Sequence, residues 1–326
     1  MDVADFCRRS RVLVVAGKGG VGKTTIAAAL SWMAADAGLS VLLVELEGRP
    51  VLAAALGGSG PLGYEETELR APSPASGPGR VLARRITPDE ALIEYLDDHG
   101  LRRVTKRLLS SGVLDVVATA IPGIRDVLVL GKIKQLEQAG AADLIVVDAP
   151  ATGHAMTFLT SARGLLDVAR GGPVRAQAAE VVELLRDASR CRVVLVTIPE
   201  EMPISETVEA AYQIEDRAGV QLGPVVVNSV DTLGAGMHVE AAVAAARAGV
   251  QLGAAQLASL EEARIFRLRR WELQAELVDR LGRELPLPQL HAPQLPALSL
   301  GPTDVGTLAH ALADGVRALA PDVHAA

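Results

Sequence analysis

Five short runs in this chain are apolar almost without interruption: residues 11–16, 40–46, 143–148, 192–198 and 222–229. A strand with one wet face alternates polar and apolar side chains, so the lack of alternation predicts strands buried on both faces, as in a parallel sheet covered by helices. The intervening stretches agree. Residues 22–37 and 202–218 have the length and apolar spacing of crossover helices, and strand therefore alternates with helix as a doubly wound α/β fold requires. A weaker strand is expected at 284–290, with a closing helix at 303–319.

Two regions break the rhythm. Residues 57–80 are crowded with Gly, Pro and Ser and are predicted to form a long surface loop. Residues 88–138 and 154–190 read as several helices inserted around the run at 143–148, which predicts a helical subdomain on one edge of the sheet. No internal repeat is present, and residues 1–326 are read as one domain carrying that subdomain.

Between the first run and the first helix lies GKGGVGKTT, residues 17–25. Gly17, Gly22, Lys23 and Thr24 fall at the fixed positions of GxxxxGK[ST]. Glycines let the backbone turn its N–H groups inward around phosphate oxygens, and the helix N-terminus adds its positive end. Lys23 is then placed for the β and γ phosphates and the Thr24 hydroxyl for Mg²⁺, while Lys18, Gly19, Gly20, Val21 and Thr25 complete the predicted nucleotide cradle. Further on, DLIVVDAPATGHAMTFL ends a buried run on Asp148, a carboxylate suitably placed to hold Mg²⁺ through water. Gly153 follows at a turn where a backbone N–H can approach the γ-phosphate.

Charge and composition narrow the partners. A net charge of −7 leaves no basic stripe for nucleic acid, and eight aromatic residues offer few platforms for single strands. The basic residues are lopsided, with five lysines in 32 Lys plus Arg, and two of the five are Lys18 and Lys23. Cys7 and Cys191 form no metal-ligand spacing and point to a reducing compartment. The N-terminus lacks a secretory pattern, and no run is long enough to span a bilayer, so a cytoplasmic protein without an integral membrane segment is expected.

Lys18 exceeds what the general motif demands. With it, the loop resembles the deviant Walker A motif KGGxGK[ST] of the ATPases that include ParA, MinD, the nitrogenase iron protein and the ArsA-type anion-transporting ATPases. DAPATGH resembles the switch II segment of the ArsA-type branch. IPGIRDVLVLGKI (121–133), RGGPV (170–174), VTIPEEMPISETVEA (196–210) and PVVVNSV (224–230) look like stretches of the same branch in its order, most similar to actinobacterial members that are not arsenite pumps. The likeness covers residues 11 to about 230 well and the remainder weakly.

The resemblance implies a P-loop NTPase fold and an Mg²⁺-dependent, ATP-hydrolysing dimer in which Lys18 reaches the partner's nucleotide. It also implies ATP/ADP as cofactor, Asn228 as the residue recognising adenine, and coupling of nucleotide state to the helical subdomain. An asparagine amide supplies the donor and the acceptor that the adenine edge needs, and Asn228-Ser229-Val230-Asp231 departs from the NKxD of GTPases.

The chain also departs from the branch. The expected DPAHS-like switch I reads VLLVELEGRPV, with Glu47 aligned to the aspartate that positions the attacking water and Gly48 and Arg49 in place of Pro-Ala. A displacement near 1 Å can cost on the order of 100-fold in rate, so slow hydrolysis is an alternative expectation. Glu45 is the second carboxylate, expected on the same side as Glu47 if the strand continues. The intersubunit CxxC of the tail-anchored targeting relatives and the arsenite-binding cysteines are absent, and only five methionines are available to line a client groove. Three readings follow: a homodimeric or heterodimeric ATPase with a protein client on its helices, a slow nucleotide switch needing a paralogous partner, and a ParA/MinD-like positioning ATPase. The last is disfavoured because the closing helix carries Arg317 as its only fixed positive charge.

Overall fold

The computed structural model describes residues 1–48, 50–71, 79–98, 123–234, 236–297 and 299–319. Its strands are β1 (Val12–Gly17), β2 (Ser40–Glu45), β3 (Thr67–Arg70), β4 (Arg80–Arg85), β5 (Leu144–Asp148), β6 (Cys191–Thr197), β7 (Val225–Val230) and β8 (Gln289–Pro293). They form one sheet in the order β3-β4-β2-β5-β1-β6-β7-β8, parallel except for β3 against β4.

The helices are α1 (Val3–Cys7), α2 (Lys23–Asp36), α3 (Val51–Ala55), α4 (Pro88–Asp98), α5 (Ile124–Gln138), α6 (Thr152–Val168), α7 (Pro173–Arg186), α8 (Glu201–Gln213), α9 (Ala241–Arg247), α10 (Ala254–Glu284) and α11 (Pro302–Ala318). A π-helical turn, Ile214–Ala218, extends α8.

Each central strand is apolar on both faces, and its pleat divides its side chains between two cores. Leu42, Val44, Ile145 and Val147 meet α5, α6 and α7 through Leu130, Ile133, Phe158 and Val181. Val41, Leu43, Leu144 and Val146 face the other way, onto α2 and α11 through Ile26, Leu30, Leu308 and Leu312. This is the mostly parallel, helix-flanked α/β fold that the unalternating runs predict.

The structure corrects the reading of the region before residue 88. Residues 67–70, predicted as loop, form the edge strand β3, and residues 80–85, for which the apolar runs predict no strand, form β4. β3 lies at the sheet's edge, whereas β4 is paired on both sides, with Val81 and Ala83 buried and Arg84 itself only 8% exposed. Arg84 of β4 stacks on Tyr64, 4.4 Å from the ring centroid, and Arg70 of β3 stacks on Trp32 at 4.6 Å while pairing with Asp36. The weak strand expected at 284–290 begins later, at Gln289, because α10 runs through Glu284. The predicted helices at 88–138 appear as α4 and α5, with residues 99–122 outside the described part; residues 72–78 of the predicted loop lie outside it too.

Candidate functional site

β1 lies between β5 and β6, so the loop leaving it emerges at the middle of the sheet's C-terminal edge. Close packing explains the first glycine. Gly17 has φ 154°, and a Cβ there would stand 2.2 Å from the Val196 carbonyl oxygen of β6. The chain then turns into α2 through Gly22, whose φ of 90° is left-handed and whose missing Cβ leaves room for the Asn228 amide. The first-turn N–H groups of α2 therefore open onto the loop.

Three side chains fix this geometry. Lys23 Nζ donates to the Lys18 carbonyl oxygen at 3.2 Å, folding the lysine back over the loop. Asn228, within β7 and buried, donates from Nδ2 to the Val21 carbonyl oxygen at 2.9 Å. Ser229 beside it has φ 57°, the one non-glycine residue with positive φ among the described residues. Lys18 Nζ lies 2.6 Å from Glu206 Oε1 on α8, with both side chains about a third exposed. Nothing in the sequence singles out Glu206, which is one of several acids on a polar helix face.

Thr24 Oγ1 donates to Asp148 Oδ2 at 2.7 Å, joining the loop to the end of β5. Asp148 is 8% exposed, and its other oxygen, Oδ1, is buried and accepts no hydrogen bond. Burial pushes its carboxyl up to about 6, against the Thr24 hydrogen bond and Lys23, while Glu45 and Glu47 add to the rise. A buried oxygen without a donor beside a threonine hydroxyl matches the hard, oxygen-seeking chemistry of Mg²⁺.

β2 ends at Glu45, so the alternation that would align Glu45 with Glu47 stops there. Glu45 is 2% exposed and in register with Asp148, whereas Glu47 sits exposed on the following turn. Arg49 lies outside the described residues. Gly153 is exposed in the first turn of α6, and a Cβ on Gly19 would meet Ala151 at 3.9 Å, which brings the turn after β5 against the loop after β1. His154 lies near Asp126, whose carboxyl is raised by burial and partly lowered by that imidazole. Gly20 is exposed, Val21 buried and Thr25 half-buried within α2.

A glycine-rich loop carried by the central strand of a parallel sheet and running straight into a helix N-terminus belongs to the P-loop nucleotide-binding class. Residues 10–168 match the model of the family described as anion-transporting ATPase. ATPase BagA of Mycobacterium tuberculosis is 37% identical over 327 aligned residues, which cover 91% of this chain and 90% of that protein. The chain belongs to the ArsA-type anion-transporting ATPase family. More distant likenesses include a putative arsenical pump-driving ATPase of Halobacterium salinarum, 28% identical over 67% of this chain and 35% of that protein. An arsenical pump-driving ATPase of Escherichia coli is 27% identical over 70% of this chain and 36% of its own length. Among the described residues, no helix is long and apolar enough to cross a membrane.

Proposed function

We propose that this protein is a cytoplasmic, Mg²⁺-dependent ATPase that binds ATP and ADP on residues 17–25, works as a dimer, and couples nucleotide state to its helices at 88–138 and 154–190. The observation that carries the reading is the Thr24–Asp148 hydrogen bond, which ties the loop after β1 to the end of β5. Loop amides and the α2 N-terminus receive the phosphates, Lys23 leaves the Lys18 carbonyl for the β and γ oxygens, and Asn228 reads the adenine edge. Thr24 and Asp148 are the residues that would hold Mg²⁺, which would supply charge neutralisation to the phosphates. Glu47 orients the attacking water, Gly153 reports the γ-phosphate, and Lys18 serves the partner's nucleotide.

Calorimetric titration of MgATP into the wild-type chain and Lys23→Ala tests this. Binding by the wild type and its loss in the variant are expected; no binding by the wild type, or equal binding by both, overturns the reading.

The exposed position of Glu47 favours a second reading, a slow switch whose hydrolysis needs residues from a paralogous partner. Phosphate release measured alone and with such a paralogue separates the two, since brisk turnover by the isolated chain excludes the switch.

A further inference from the structure

We infer that Glu45 is a second carboxylate of the metal pocket, joining Thr24 and Asp148 in holding the divalent cation; this rests on the nucleotide-site reading above. The pleat directs both acids to one place. On β2, Val41 and Leu43 face the α2 side, so Glu45, two residues on, does too. On β5, Leu144 and Val146 face that same side, and Asp148 continues the series. The strands are adjacent and parallel with Glu45 opposite Asp148, so the two carboxylates leave neighbouring strand ends toward Thr24 at the start of α2.

Both acids are buried, and the Glu45 carboxylate is near enough to act on the Asp148 charge. Asp148 Oδ1, buried without a hydrogen-bond donor, is the independent sign of a ligand at this point. Two carboxylates and a hydroxyl fall short of a complete cage, which suits a cation that takes one or two carboxylates and completes its shell with phosphate oxygens and water.

Mn²⁺ serves as the probe, titrated into the full-length, nucleotide-free protein and followed by electron paramagnetic resonance for the wild type, Glu45→Gln and Glu45→Asp. Glu45→Gln is expected to lose about tenfold or more in Mn²⁺ affinity, with Glu45→Asp between it and the wild type. Should Glu45→Gln fail to fold, as judged by circular dichroism, Glu45→Asp carries the comparison. Unchanged affinity in the folded variant, or no measurable Mn²⁺ binding by the wild type, overturns the assignment. Binding of a fluorescent ADP analogue to the wild type in EDTA tests the loop separately: binding is expected, and its absence defeats the nucleotide reading rather than the Mn²⁺ result.

Discussion

Lys18 is held within its own chain, its Nζ 2.6 Å from Glu206 Oε1 across the gap between the loop after β1 and α8. A lysine that serves a partner's nucleotide must first leave this carboxylate. Because the pair is partly exposed, the cost of parting is about 1 kcal/mol or less, well within reach of nucleotide binding. Glu206→Gln is expected to lower the concentration of a non-hydrolysable ATP analogue needed for dimer formation, measured by analytical ultracentrifugation. Lys18→Ala is expected to keep analogue binding while losing the dimer, and a dimer of unchanged strength in Lys18→Ala would count against the trans role.

Thr24→Ala removes the hydroxyl that reaches Asp148 and leaves a second carboxylate oxygen without a donor. A hydrogen bond to a charged group contributes ~1.5–3 kcal/mol, so MgATP affinity should fall roughly 10- to 100-fold while metal-free ADP binding changes little. Calorimetry with Mg²⁺ and with EDTA reads the two separately.

The Asp148 carboxyl, raised by burial to about 6 from an ordinary 3.8, gives stability a defined pH dependence. The folded chain holds this proton more tightly than the unfolded chain. The group's contribution is therefore fully present below about pH 4, is lost as pH rises toward 6, and leaves a buried anion above that, a swing of roughly 3 kcal/mol. In EDTA, Asp148→Asn is expected to melt higher than the wild type at pH 8 and at the same temperature at pH 4. Added Mg²⁺ should stabilise the wild type more at pH 8 than at pH 5.

Asn228 braces the loop whatever it does for a base, since its amide satisfies the Val21 carbonyl. Asn228→Ala leaves that carbonyl without its donor and should cost ~1–3 kcal/mol in chemical denaturation of the nucleotide-free protein. Asn228→Asp, which sets a carboxylate against the carbonyl, should cost more. Equal stability of all three proteins would show that the contact does not matter to the fold.

Gly22→Ala brings two penalties together, a left-handed φ of 90° and a Cβ 2.3 Å from Asn228 Nδ2. A loss of roughly 1–3 kcal/mol is expected, with weaker nucleotide binding because the amide must move off Val21. Thermal melts and ADP titration check both effects.

The parallel core was legible because strands buried on two faces must be apolar throughout; β1, β2, β5, β6 and β7 all carry that mark. β3 and β4 were not, since their arginines interrupt the apolar pattern, and the rings that cover two of them, Trp32 for Arg70 and Tyr64 for Arg84, lie elsewhere in the sequence. The loop residues 17–25 were readable one by one because glycine spacing encodes backbone shape. The pairing of Lys18 with Glu206 and the station of Glu45 opposite Asp148 were not, for a different reason: one contact spans 188 positions, and the other depends on where β2 stops and which residue of β5 stands opposite. Long-range register leaves no local trace.

The central place of β1 has a bearing on how the protein is made. The loop after β1 is made well before both neighbours of its strand, β5 and β6, which start at residues 144 and 191, and its brace, Asn228, comes later still. A nascent chain therefore carries the loop long before it can shape it. Ligand can act on the shaped loop only once these later segments have been made, and until then the stretch that carries it depends on protection from aggregation.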